Sequence, residues 1–285
     1  MPAILQYEFM VRALIGGVIV GTLGPVLGMF LVLRRFSLIA DTLSHVALMG
    51  VAIGMATSTH PALVALAAST AGAVIIEWLS SHHRLPGDVT LAVVLYAALA
   101  VAVVVISGSD GFNVDLFGFL FGSVLSISPL DLWLLAVLGI VVVLYVTTFF
   151  SELSQSAFDP DLAKVTGVPV NWANLGLAVL TGATITLSMR VVGVLLVGAM
   201  LVVPVLAGQR LATGLRAALA VAVGFGIASA LIGLTVAFYA DLSAGGSIVL
   251  AAIVLLLAAQ GFAVIRERIR PPEQGHDELL TTHTH

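Results

Sequence analysis

The sequence predicts an all-α bundle of eight to ten membrane-spanning helices, and three observations predict it. Of 285 residues, 60% are hydrophobic and only 9% charged, with a mean hydropathy of +1.16, more apolar than a water-soluble core requires. Nine apolar segments of bilayer-crossing length can be drawn between ordinary breakers, at about 11–33, 38–56, 61–81, 88–106, 129–150, 170–189, 191–211, 213–238 and 244–265. The basic residues then sort by side. With the amino terminus outside, Arg34, Arg35, Arg84, Lys164, Arg210, Arg216, Arg266, Arg268 and Arg270 all face the cytoplasm, and only Arg12 and Arg190 do not.

The first segment follows a polar start without a small-residue cleavage pattern, so it is expected to stay in the mature protein. Gly17, Gly21, Gly24 and Gly28 recur along it at spacings of four, three and four, giving one face without side chains. Another helix can approach there, either as packing within one subunit or as a moving gate or subunit interface. Pro25 on this segment and Pro204 on the seventh are expected to kink their helices.

The second segment carries Asp41 and His45, one turn apart in an apolar stretch after the Arg34-Arg35 doublet. If the helix runs on from the arginines at about 1.5 Å per residue, Asp41 lies roughly 10 Å and His45 roughly 16 Å into the membrane. An acid and an imidazole are costly there, so an i, i+4 pair reads as part of an ion or substrate path. The bland alternative is a mutual hydrogen bond, or polar contacts that hold the bundle together.

Later elements are weaker signals. Glu77 lies about a turn inside the cytoplasmic end of the third segment, close enough to reach water by snorkelling, so a structural role is expected of it. His82, His83, Arg84 and Asp88 share an interfacial turn; His60, Asp110 and Asp115 fall on outer loops; residues 118–128 suit a helix in the outer leaflet. Between the fifth and sixth segments, Asp159 suits an N-cap, Pro160 the first helical position and Asp161 the positive helix end, while Gly167 and Pro169 stop the chain. The result is a short helix over 160–166 presenting Phe158, Leu162 and Val165, too short to be stable unless docked on membrane-helix ends or on another protein. Arg190 sits at a helix junction, where it lines a vestibule or neutralises a carboxylate. One transmembrane domain spans residues 1–270. The polar tail 271–285, begun by Pro271-Pro272, is expected to be disordered and cytoplasmic, with His276, His283 and His285 as possible metal sensors or simply solvated.

The sequence also excludes. Without cysteine there are no disulfides and no thiolate sites, and a net charge of −4 offers no surface for nucleic acid. The one lysine, Lys164, lies between Ala163 and Val165 and so cannot belong to a phosphate loop; ATP-driven work would need hydrolysis on another polypeptide. Imidazole and carboxylate suit Zn²⁺, Mn²⁺ or Fe²⁺, but the two ligands of one chain are too few to hold such an ion.

Three stretches in order, RFSLIADTLSHVALMGVAIG at 35–54, AFDPDLAKVTG at 157–167 and RVVGVLLVGAMLVVP at 190–204, resemble the zinc, manganese and iron permeases of metal-uptake ABC importers. The resemblance extends over roughly residues 8–268. It implies a homodimeric permease of a bacterial plasma membrane that binds two ATPase subunits and receives a transported divalent metal from an extracytoplasmic solute-binding protein, with no tightly bound cofactor. By the same implication, Asp41 and His45 contact the metal, and Phe158, Asp159, Pro160, Asp161, Leu162 and Gly167 contact the ATPase. The rivals are a permease for a metal chelate or vitamin, a proton-coupled metal transporter, and an intramembrane hydrolase. The last lacks any His-Glu-x-x-His or Gly-x-Ser-x-Gly arrangement.

Overall fold

The computed structural model describes residues 3–82, 87–108, 122 and 127–269. After a 3₁₀ turn, Ala3–Gln6, come eleven α-helices with no strand among the described residues: α1 (Glu8–Leu33), α2 (Ile39–Ala56), α3 (Pro61–His82), α4 (Gly87–Ser107), α5 (Pro129–Thr148), α6 (Phe150–Phe158), α7 (Pro160–Val165), α8 (Val170–Val192), α9 (Val194–Leu211), α10 (Leu215–Ala240) and α11 (Ala244–Ile269). Most of the outer-leaflet stretch 118–128, His83, Arg84, Asp110, Asp115 and the tail 271–285 lie outside the described residues.

Eight of these helices are long and apolar enough to cross a bilayer, one fewer than the segments drawn. The expected seventh segment is the difference. Gly193, at φ 93°, breaks the chain between α8 and α9, and the apolar run Leu196–Leu211 is shorter than the other spans. The break falls after Arg190 rather than at it, so Arg190 belongs to the last turn of α8.

Burial sorts the helices into layers. In α1, α2 and α8, 72%, 67% and 61% of the apolar stretch is buried inside the chain, whereas in α4 and α5 the figure is 22%. The outer faces of α4 and α5 expose Val93, Val103, Val104, Ile140 and Leu144. A hydrophobic patch of that kind is a liability in water and is solvated by hydrocarbon in a bilayer. All three tryptophans lie near helix ends and are exposed, Trp78 and Trp172 at the end shared with Arg34 and Trp133 at the opposite end, as membrane–water interfaces favour.

The glycine face of α1 is filled within one chain. A Cβ on Gly17 or Gly21 would meet Leu234 or the Gly226 carbonyl of α10, and one on Gly24 or Gly28 would meet the Met200 or Leu201 carbonyl of α9. Helices α1 and α9 each run continuously through their internal prolines, Pro25 and Pro204.

Helix α1 ends in a reversal. The N–H of Arg35 donates to Val32 O (3.0 Å) and that of Phe36 to Leu31 O (2.9 Å), a Schellman closure with Arg35 at φ 60°. Left-handed backbone suits glycine there and costs a side-chain-bearing residue of order 1 kcal/mol. Residues 34–38 therefore form a turn and add no helical rise. Counted from Ile39 at about 1.5 Å per residue, Asp41 is about 3 Å and His45 about 9 Å along α2. The pair lies near the start of α2, and the helical rise counted from the arginines does not apply.

Candidate functional site

Helix α2 is walled in by α3, α4, α8 and α9. From Ile39 to Gly54 every residue is buried except Asp41, His45, Met49 and Ile53, which are half-buried and four residues apart. They form one open stripe on a helix otherwise enclosed. The neighbouring hydroxyls are consumed locally, Ser44 Oγ donating to Ala40 O (2.7 Å) and Thr42 Oγ1 to Leu38 O (3.0 Å). Asp41 lies in the first turn, where the helix dipole favours a carboxylate. Gly198 of α9 faces its backbone, and a Cβ there would sit 3.6 Å from Asp41 N.

His45 Nδ1 is buried and has no hydrogen-bond partner. A stranded polar atom of this kind costs about 1–3 kcal/mol, so its lone pair or proton is available to something that visits the site. No hydrogen bond joins Asp41 to His45 among the described residues, and no group of three or more His, Asp or Glu gathers there to hold a metal. One chain offers two donors on one stripe.

Two ion pairs lie away from this stripe. At one end Arg190 Nη1 contacts both carboxylate oxygens of Asp131 (2.9 and 3.2 Å), so Arg190 neutralises a carboxylate. Asp131 itself forms a capping box with Ser128 at the start of α5. The pair thus ties the α8–α9 break to α5. At the other end Arg34 Nη2 lies 3.1 Å from both oxygens of Glu77, with both side chains nearly buried. Glu77 thus has the structural role expected of it, as the partner of Arg34 rather than by reaching water. Glu77→Ala strands that guanidinium and is expected to cost about 3–5 kcal/mol, read as a lower Tm of the solubilised protein; an unchanged Tm would show that the pair contributes nothing.

The segment 150–165 is a helical hairpin. Asp159 Oδ1 accepts from Asp161 N (3.2 Å) and Leu162 N (2.9 Å), and Val168 N closes α7 on Ala163 O (3.0 Å) with Gly167 at φ 85°. Phe150 packs edge-on against Phe30, Leu153 is buried, and Ser156 Oγ donates to Asn174 Oδ1 (3.0 Å), fixing α6 to the bundle. In α7 Ala163 alone is buried. Phe158, Leu162 and Val165 are exposed, and none of the described residues covers them.

A bundle of eight helices long and apolar enough to cross a bilayer defines a multi-pass membrane protein. A profile of the ABC 3 transport family matches residues 6–263, and the chain belongs to that family. It is 34% identical over 260 residues to the manganese transport system membrane protein MntC of Halalkalibacterium halodurans, covering 91% of this chain and 89% of that one. It is 30% identical over 252 residues to the high-affinity zinc uptake system membrane protein ZnuB of Haemophilus influenzae, covering 88% and 97%. Among solved structures, a chain of PsaBC from Streptococcus pneumoniae in complex with Fab superposes with a TM-score of 0.79 at 29% identity, covering 90% of this chain and 92% of that one.

Proposed function

We propose that this chain forms the membrane path of an ATP-driven importer of a divalent transition metal, Mn²⁺, Zn²⁺ or Fe²⁺, as a pair of identical chains. The observation that carries the reading is the stripe on α2, where Asp41 and the unpartnered His45 occupy the open side of a helix sealed elsewhere. The manganese and zinc systems named for the relatives agree with a carboxylate–imidazole donor set. Two copies facing one axis bring up to four donors together, and water completes the shell. An open, incomplete site releases its ion, as a path requires.

The end bearing Arg34, Arg35, Lys164, Arg210 and Arg216 is placed in the cytoplasm by the positive-inside rule, with the carboxyl terminus on the same side. There the exposed residues Phe158, Leu162 and Val165 of the hairpin dock on a separate ATPase, since the phosphate-loop pattern is missing around the one lysine. An extracytoplasmic solute-binding protein delivers metal at the opposite end. ATP-driven movement of the partners reaches α2 through the hairpin's fixed contacts with α1 and α8.

Replacing Phe158 and Leu162 together by Ser is expected to reduce co-purification of the ATPase at least tenfold while the permease still inserts. An intact complex would remove the docking role. The reading as a whole is tested in proteoliposomes containing this chain and its ATPase, with radiolabelled Mn²⁺ and Zn²⁺. Accumulation should require ATP and the second subunit; uptake without either would instead indicate a proton-coupled transporter.

A further inference from the structure

A cavity of about 560 Å³ opens between the Arg34–Arg35 turn, the end of α3, the α6–α7 hairpin and the start of α8. Four ionisable groups line it: Arg34, Arg35, Lys164 and Glu77. Arg34 and Glu77 cancel in their 3.1 Å pair. Lys164 is 3.7 Å from Asp161, but that carboxylate is almost fully exposed and screened by water. Among the described residues no carboxylate pairs with Arg35. The cavity thus holds an excess of two positive charges, with Ser80 and Asn171 offering further donors.

Two other features point the same way. Arg35 occupies a left-handed position that glycine fills more cheaply, and such an outlier is expected where the side chain is used. The cavity lies at the ends of spanning helices, level with the exposed residues Trp78 and Trp172, the depth at which phospholipid headgroups sit.

We propose that this cavity binds a phosphate-bearing anion between the Arg35 guanidinium and the Lys164 ammonium, and that the anion is the headgroup of an acidic phospholipid. Guanidinium and ammonium together suit phosphate, the first through paired N–H groups and the second as a point charge. A bound headgroup joins the end of α1 to α7 and so holds the hairpin against the spans. The hairpin's position then depends on the acidic lipid around it.

The test uses the purified full-length chain and an Arg35→Gly/Lys164→Gln variant. Arg35→Gly removes the charge while relaxing the backbone, so the variant should keep or raise its Tm. Native mass spectrometry should show phosphatidylglycerol retained over phosphatidylcholine on the unmodified chain, with retention falling at least tenfold in the variant. In a parallel arm, inorganic phosphate is titrated against Tm. If phosphate stabilises the unmodified chain alone and phosphatidylglycerol shows no preference, the anion site stands and the lipid as its source is overturned. Equal retention of phosphatidylglycerol by variant and unmodified chain, or no effect in either arm, overturns the site.

Discussion

Asp41→Ala and His45→Ala should each lower ATP-driven uptake of Mn²⁺ and Zn²⁺ by about 100-fold or more, the equivalent of about 2.7 kcal/mol on the transport barrier. Neither substitution should unfold the chain. Both side chains are half-buried on the open stripe, and Asp41 contributes only the helix-end term of about 0.3–1 kcal/mol. For His45, truncation even removes a stranded polar atom. The expected pattern is thus normal insertion, normal ATPase binding and lost transport. Uptake that survives in both variants would discard the assignment, and a chain that no longer accumulates would make the pair structural.

A second large effect, on folding, is expected at Gly28. A Cβ there would collide with the Leu201 carbonyl oxygen and lie 2.8 Å from its carbon, against backbone that cannot rotate away. Overpacking of a core commonly costs about 1–3 kcal/mol, and a main-chain collision between α1 and α9 lies at or above that upper figure. Gly28→Val should therefore prevent accumulation of folded protein. Gly198→Ala is the matched control, because its Cβ meets Asp41 N at an ordinary 3.6 Å and should leave Tm nearly unchanged. Fluorescence-detected size-exclusion of the two variants reads the contrast directly. A monodisperse Gly28→Val protein would show that α1 and α9 are not so closely apposed in the membrane.

Eight of the nine drawn spans were legible because lipid imposes one rule on every span, an uninterrupted apolar run of sufficient length, and that rule is written locally; the seventh was shortened by the break at Gly193. The α7 cap was legible for the same reason: Asp159, Pro160 and Gly167 act on backbone groups a few residues away. What escaped was set by distant partners or by a single backbone angle. Nothing local in the sequence joins Arg34 to Glu77 or Arg190 to Asp131, pairs separated by 43 and 59 residues. The turn at Arg35 was hidden because the residue is not glycine, and it shifted the apparent depth of Asp41 and His45. The continuation of their stripe through Met49 and Ile53 was available in the four-residue spacing. It became informative only when the other three sides of α2 proved covered. The first helix of the hairpin, α6, was missed because its polar face and buried Leu153 do not resemble a span.

The proposal depends on the α2 stripes of two chains facing one another across a shared path. Because the sequence has no cysteine, Met49→Cys places a single thiol one turn beyond His45 on that stripe. In the assembled transporter, a short bis-maleimide should convert this variant to covalent dimers, and Mn²⁺ or Zn²⁺ should change the rate. A variant that stays monomeric, while Val104→Cys on the exposed face of α4 cross-links in its place, would contradict the account.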